Sequence, residues 1–237
     1  MPLNLIQQRF DYASQYYDDF AAIQSAIAKQ LISLIPQQAF PHAIDLGCGT
    51  GFGSEHLLMQ HSIRQLDLLD ISAAMLSRAE RRLAKYKINV YQADFINLPS
   101  TQYNLIFANM ALHWADNLLA IIQRCYQQLA SQGLLVFSLP LSDTFAALKP
   151  WQQFMFPGIA AIKDVLPQST YYAQQSFTIN YANLRRAHTA LKQMGVSLTY
   201  RHRGLHLNRE QRDFCRHYSQ QPIALNYEIL FVKVAKP

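Results

Sequence analysis

The sequence predicts an α/β fold in which helices flank one doubly wound sheet of seven strands. Three observations predict it. A short apolar run, Ala43-Ile44-Asp45-Leu46, breaks into a turn with glycine at alternate positions, Gly47, Gly49 and Gly51. Strand-like and helix-like patterns then alternate four times within about 100 residues, the rhythm of a parallel sheet with crossover helices. The residues able to do chemistry sit at the carboxyl ends of those strands, where open α/β sheets bind ligands.

The elements follow in order. Residues 5–35 carry apolar side chains at helical spacing and are stopped by Pro36, which predicts two helices or one bent helix. This segment precedes the first strand and is expected to cover the cleft, with Tyr17 and Gln24 facing either the ligand or a solvated edge. After the glycine turn, residues 54–60 read as a helix and 66–70 as a second buried strand ending in Asp70. Ser72 caps a helix over 73–85. Strand three covers 89–92 and leads to Ala93-Asp94-Phe95 and the Leu98-Pro99 turn. Strand four, 103–108, ends in Asn109-Met110. A helix over 117–130 precedes strand five at 134–139, closed by Pro140. Residues 141–175 lose the alternation and carry Trp151, Phe154, Phe156, Tyr171 and Tyr172 among prolines, which reads as a lid or as extra core. Strand 176–181, helix 183–194 and an Arg- and His-rich loop over 196–207 come next. Asn208 with Gln211 forms a capping box for a helix through 217, and 223–234 is the last strand. One domain, 1–237, is the simplest division: a cover (1–36), a cofactor-binding core (37–140), a lid insertion (141–175) and a basic part that completes the sheet (176–237).

The glycine turn narrows the ligand. A pyrophosphate loop needs G-x-G-x-x-G, but here the third glycine comes early and position 52 is Phe; no Lys-Ser/Thr follows, so a P-loop is excluded. Asp45, just ahead of the glycines, suits an ammonium group better than a phosphate. Asp70 lies 25 residues further on, at a strand tip, placed to accept two ribose hydroxyls or to cap the next helix. The pattern D-x-G-x-G-x-G is similar to the first motif of S-adenosylmethionine-dependent methyltransferases, whose cofactor carries an amino acid in place of phosphates.

Composition sets the outer bounds. Half the residues are hydrophobic and 15% are charged, so the chain folds rather than staying disordered. No apolar run reaches the roughly 18 residues of a membrane helix, and no N-terminal signal is visible. Cys48, Cys125 and Cys215 are odd in number and show no C-x-x-C spacing, which fits a reducing cytoplasm and no metal site. The net charge of +6 is uneven: residues 1–180 hold 11 basic and 12 acidic side chains, and residues 181–237 hold 10 and 3. An acidic partner for the C-terminal quarter is therefore expected.

Taken together the chain resembles, nearly end to end, the malonyl-acyl-carrier-protein O-methyltransferases of biotin synthesis. Phe10-x6-Tyr17-x6-Gln24 matches that family's opening helix. Ile44 to Gly51, Leu69 to Leu76 and Ala93 to Pro99 match its cofactor motifs, which most class I methyltransferases share. Narrower matches are Asn109-Met110-Ala111-Leu112-His113-Trp114, Leu191-Lys192-Gln193-Met194-Gly195, Leu207 to Gln211 and Ala224 to Phe231. The family usually has Gln at His113 and tends to have Arg at the position of Thr189.

The resemblance implies a class I, Rossmann-like sheet with its last strand antiparallel, and S-adenosyl-L-methionine as cofactor, leaving as S-adenosyl-L-homocysteine, with no metal. It implies cofactor contacts from Tyr17, Gln24, Asp45, Gly47, Gly49, Gly51, Asp70, Ile71, Met75, Asp94, Phe95 and Asn109, with Asp94 on the adenine amino group and Phe95 against the ring. The reaction implied is methylation of the free carboxylate of a malonyl thioester on acyl carrier protein or coenzyme A. Tyr17, His113, Arg185 and Arg186 are the acceptor-side candidates; each arginine alone also reads as a solvated surface charge. Arg185, Arg186, Lys192, Arg201, Arg203, Arg209, Arg212 and Arg216 form the expected docking face for the acidic carrier. Other readings are a small-molecule or quinone-precursor methyltransferase, an RNA methyltransferase using the basic face, and a cofactor-binding protein without chemistry. The chain lacks an Asn/Asp-Pro-Pro-Tyr/Phe motif and a Pro-Cys setting, which counts against RNA.

Overall fold

The computed structural model describes residues 3–151, 156–196 and 209–237. Its seven-stranded sheet is built from β1 (Ala43–Leu46), β2 (Leu66–Asp70), β3 (Ile88–Gln92), β4 (Tyr103–Asn109), β5 (Leu129–Pro140), β6 (Tyr171–Tyr181) and β7 (Ile223–Ala235), in the order β3-β2-β1-β4-β5-β7-β6. The first five strands pair in parallel, and β7 runs antiparallel to both β5 and β6. The expected doubly wound sheet with an antiparallel last strand is borne out.

Strand periodicity divides the core. Leu105 and Phe107 of β4 face one side with Leu66, Leu68, Val136 and Phe231, while Ile106 and Ala108 face the other with Ile44, Leu46 and Phe137. The first side is covered by α3 (Ala22–Ile32), α4 (Phe52–Gln60), α5 (Ala73–Arg82) and α8 (Leu184–Gln193); the second by α6 (Leu118–Gln127) and α7 (Ile159–Lys163). α1 (Leu3–Ala13) and α2 (Tyr17–Phe20) lie ahead of α3, so the N-terminal segment is three helices rather than two. α9 (Arg209–Tyr218) precedes β7.

Several boundaries differ from the sequence reading. β6 starts at Tyr171, not 176, because Tyr171–Gln175 pair with residues 229–233 of β7, and a long partner strand extends pairing where local alternation is weak. The insertion after β5 accordingly ends at 170. β5 starts at Leu129, with a register shift against β4 between Tyr103 and Leu105, and α6 stops at Gln127 instead of 130. α4 begins at Phe52, capped by the left-handed Gly51. A two-stranded parallel ribbon, Ala39–Phe40 with Ser62–Ile63, was not expected. Ser72, Asn117 and Asn183 do cap their helices, their side-chain oxygens accepting from the N–H of Met75, Ala120 and Arg186. Asn208 lies outside the described residues. Among the described residues no helix is long and apolar enough to cross a membrane, and Cys48 and Cys125 are buried free thiols.

Candidate active site

β1, β2, β3 and β4 each deliver a polar side chain to one edge of the sheet, and two adjoining cavities lie there. One, about 1080 Å³ including its open mouth, is lined among others by Tyr17, Gln24, Gly47, Gly49, Asp70, Ile71, Met75, Asp94, Phe95, Asn109, His113 and Trp114. The second, about 720 Å³, is lined by Asp45, Cys48 and Thr50. Tyr17, Gln24, Gly47, Gly49 and Asn109 border both, so they form one divided groove.

The glycine turn shapes its floor. Gly47 has φ +70°, and a Cβ placed there would lie 2.5 Å from Ala111 Cβ; backbone and neighbour both require glycine. Gly49 has φ +55°, and a Cβ there would meet no protein atom within 4 Å, because it would project into the open groove. Gly51 differs from the expectation: it backs onto Ala79 and lines neither cavity, serving as the cap of α4.

Two carboxylates stand at the strand tips. Asp70 Oδ2 accepts the Gly49 N–H and Oδ1 the Ser72 N–H, each at 2.9 Å. Burial pushes its pKa up to about 6, and those N–H donors pull it back down. Asp45 is buried on β1 and accepts the Ser54 hydroxyl at 2.5 Å. Burial pushes it up to about 7, with the Ser54 bond opposing and the charge of Asp70 adding. At the tip of β3, Asp94 Oδ1 accepts the Phe95 N–H at 2.6 Å. Asn109 closes β4, donating to the Gln24 carbonyl at 3.1 Å and accepting from Ser138 Oγ at 2.9 Å. Gln24 Nε2 lies 3.3 Å from Met194 Sδ, while its buried Oε1 has no partner among the described residues.

The other end of the groove is aromatic and neutral. His113 occupies a 3₁₀ turn, Leu112–Trp114, with ring centroids 5.2 Å from Trp114 and 5.8 Å from Phe156. Burial pushes its pKa down to about 3, so at neutral pH the imidazole is uncharged, and its buried Nδ1 has no partner among the described residues. Burial, Asp70 and Asp18 push the Tyr17 hydroxyl up, so it stays protonated and can donate. Phe10 packs edge-on against Trp114 at 5.3 Å.

The structure brings together Tyr17, Gln24, Asp45, Gly47, Gly49, Asp70, Ile71, Met75, Asp94, Phe95, Asn109 and His113. It does not bring Arg185 and Arg186. α8 buries Leu184, Ala187, Ala190 and Leu191, which turns both arginines outward to solvent, and neither lines a cavity. Among the described residues neither cavity is lined by Lys or Arg. Of the aromatics expected in a lid, Phe156 lines the groove, Tyr171 is an exposed residue of β6, and Phe154 lies outside the described residues. The sequence reading missed Phe10, Thr144, Phe145, Met194 and Tyr227 as lining residues. Phe10, Met194 and Tyr227 stand in motifs already singled out; Thr144 and Phe145 carried no separate signal. No group of three or more His, Cys, Asp or Glu converges as a metal site among the described residues.

Comparison with known proteins places this geometry. A methyltransferase-domain family model matches residues 44–135. The chain is 26% identical over 209 residues to a malonyl-[acyl-carrier protein] O-methyltransferase of Halorhodospira halophila, covering 81% of this chain and 71% of that protein. It is 27% identical to the enzyme of that name from Enterobacter lignolyticus, covering 82% of this chain and 80% of that one. A Coxiella burnetii relative, malonyl-[acyl-carrier protein] O-methyltransferase 2, is 32% identical over 148 residues, which span 61% of this chain and 60% of that one. Among solved structures, the N-methyltransferase NodS from Bradyrhizobium japonicum, in complex with S-adenosylhomocysteine, superposes with a TM-score of 0.55 at 15% identity, over 92% of this chain and 88% of that one. The likeness read in the sequence is thus borne out, and by sheet order, domain match and relatives this chain is an S-adenosylmethionine-dependent methyltransferase of the class I fold.

Proposed function

We propose that the protein methylates the free carboxylate of a malonyl thioester, carried on acyl carrier protein or coenzyme A, to its methyl ester. The observation that carries this reading is the divided groove: buried carboxylates and a glycine floor at one end, neutral donors in an aromatic wall at the other. The likeness to malonyl-[acyl-carrier protein] O-methyltransferases over 81–82% of this chain supports the choice of acceptor.

The residues fit the cofactor. Gly49 leaves open space where a side chain would stand, and Gln24 Oε1 is a buried acceptor with no partner among the described residues. Asp45 and Gln24 would hold the amino-acid end, Asp70 the ribose hydroxyls, and Asp94 with Phe95 the adenine, with Ile71 and Met75 alongside. When bound, S-adenosylmethionine supplies a methyl group on a positively charged sulfur and leaves as S-adenosylhomocysteine.

The chain's own residues then have little proton chemistry to perform. A malonyl carboxylate is ionised at neutral pH, so no general base is required. His113 and Tyr17 orient it through neutral hydrogen bonds. A neutral donor holds an anionic nucleophile less tightly than an arginine pair would, which leaves the oxygen free to attack. Trp114, Phe145 and Phe156 exclude water and keep the reacting groups aligned. No metal enters this scheme. The exposed basic side chains Arg185, Arg186, Lys192, Arg209, Arg212 and Arg216 present a face for an acidic carrier protein; Arg201 and Arg203 of the expected face lie outside the described residues. We place the reaction in the cytoplasm, where free thiols persist.

The test is incubation with methyl-labelled S-adenosylmethionine and malonyl-acyl carrier protein. One added methyl, present as a base-labile ester, is the expected product. Label appearing instead on RNA or on a quinone precursor, with malonyl thioesters untouched, would overturn the acceptor assignment.

A further inference from the structure

α2 is a helix of four residues that buries none of them and has no side-chain cap. Tyr17 and Phe20 pack against the core but are only partly buried, and Tyr17 borders both cavities. Polar ties add to that partial packing. Asp18, the next residue, accepts the Thr50 hydroxyl at 2.6 Å and pairs with the Arg82 guanidinium. Arg82 also donates to the Thr50 carbonyl at 3.0 Å and reaches Glu55 at 3.4 Å. Thr50 belongs to the glycine turn, so one aspartate ties the helical cover to the cavity floor.

A second tie lies at the other side of the groove. Asp11 on α1 accepts the Ser72 hydroxyl at 2.5 Å, and the Ala74 N–H lies 3.5 Å from the same oxygen. Ser72 caps α5 by accepting the Met75 N–H, and it lies two residues beyond Asp70. The chain between Asp11 and Asp18, which carries the groove-lining Tyr17, is thus pinned at both ends by a carboxylate bound to the loops that shape the cavity.

We infer that Asp11 and Asp18 are positioning residues that strap the N-terminal cover across the bound cofactor, and that the Asp18–Arg82 pair is the fastening that opens for entry and release. Of the two ties this one is ionic and reachable by solvent, its side chains being 27% and 23% exposed. Solvent and salt weaken such a pair, which suits a contact that must break in each turnover. Tyr17, adjacent to Asp18, leaves and returns with it. The inference rests on the cofactor assignment proposed above.

Stopped-flow displacement of S-adenosylhomocysteine from the full chain, followed by tryptophan fluorescence with Trp114 in the groove wall, tests the strap. Asp18→Ala is expected to raise the dissociation rate about five-fold, the size of an exposed ion pair, with association changed less than about two-fold. Arg82→Ala should match it, and the double variant should be no faster than either single one. About 0.5 M sodium chloride should speed release from the native chain and leave Asp18→Ala unmoved. That salt arm needs no variant, so it stands even where a substitution impairs folding. Release rates indifferent to both salt and Asp18→Ala sink the strap alone, whereas a native chain that binds no S-adenosylhomocysteine sinks the cofactor assignment and the strap with it.

Discussion

Asp45 and Asp70 answer to two opposed requirements. Burial raises them to about 7 and about 6, above the roughly 3.9 of an aspartate in the unfolded chain. Between about pH 4 and pH 7 the folded chain therefore keeps protons that the unfolded chain has lost. These two groups favour the ligand-free fold most at the acidic end, and that contribution fades as pH rises through 6 to 7. Cofactor binding has the opposite slope, because an ammonium and two ribose hydroxyls are best held by ionised carboxylates. Affinity for S-adenosylmethionine, read by calorimetry, should climb from pH 5.5 to 7.5 and then level off. Ser54 donates to Asp45 and opposes the rise, so Ser54→Ala should move the midpoint of that climb to higher pH. A midpoint that moves down, or affinity flat across the range, would separate Asp45 from binding.

Among the elements, the loop after β3 shows how a site residue is held from behind. Asp94 caps and Phe95 opens a short 3₁₀ turn, Phe95–Asn97, that buries no side chain of its own. α6 supplies what the loop lacks: Arg124 donates to the carbonyls of Ile96 and Leu98, and Gln128, just past the helix end, to that of Pro99 at 3.0 Å. Arg124→Ala should lower S-adenosylhomocysteine affinity about five-fold, the loss of about 1 kcal/mol of hydrogen bonding. The melting temperature should change little, since the helix core of Ile121, Ile122 and Cys125 is untouched. A large melting shift with unchanged affinity would make Arg124 a stability residue and nothing more. α8 teaches the converse. Its apolar stripe determines which way Arg185 and Arg186 point, and that stripe places them on the outer surface, however suggestive their charge.

For the whole molecule, charge is segregated. Most of the net +7 of residues 181–237 falls on α8, on α9 and on residues outside those described, with β7 and Lys236 supplying the rest, whereas the groove offers no cation among the described residues. The proposed docking face for a carrier and the proposed site for its carboxylate thus lie on different surfaces. On α9, Arg209 and Arg216 lie 3.9 and 3.7 Å from Asp213 and remain 92% and 83% exposed, available to a partner. Reversing Arg209 and Arg212 to Glu should raise KM for malonyl-acyl carrier protein several-fold and leave KM for malonyl-coenzyme A unchanged, with the carrier effect shrinking at high salt. An equal rise for both acceptors would remove the docking face.

The sequence by itself determined the doubly wound sheet, the glycine turn and the order of the strand tips. These are written in local signals: short apolar runs that read as buried strands, the Ser72 helix cap, and glycines at alternate positions of a turn. Only the tertiary structure decided what meets across the groove. Tyr227 and Met194 arrive from the far end of the chain, β6 gains residues 171–175 by pairing with β7, and Arg185 and Arg186 turn away because the helix beneath them buries its other face. The physical reason is the same in each case: a side chain's direction and a strand's extent are settled by the partner against which they pack, and that partner lies far away in sequence.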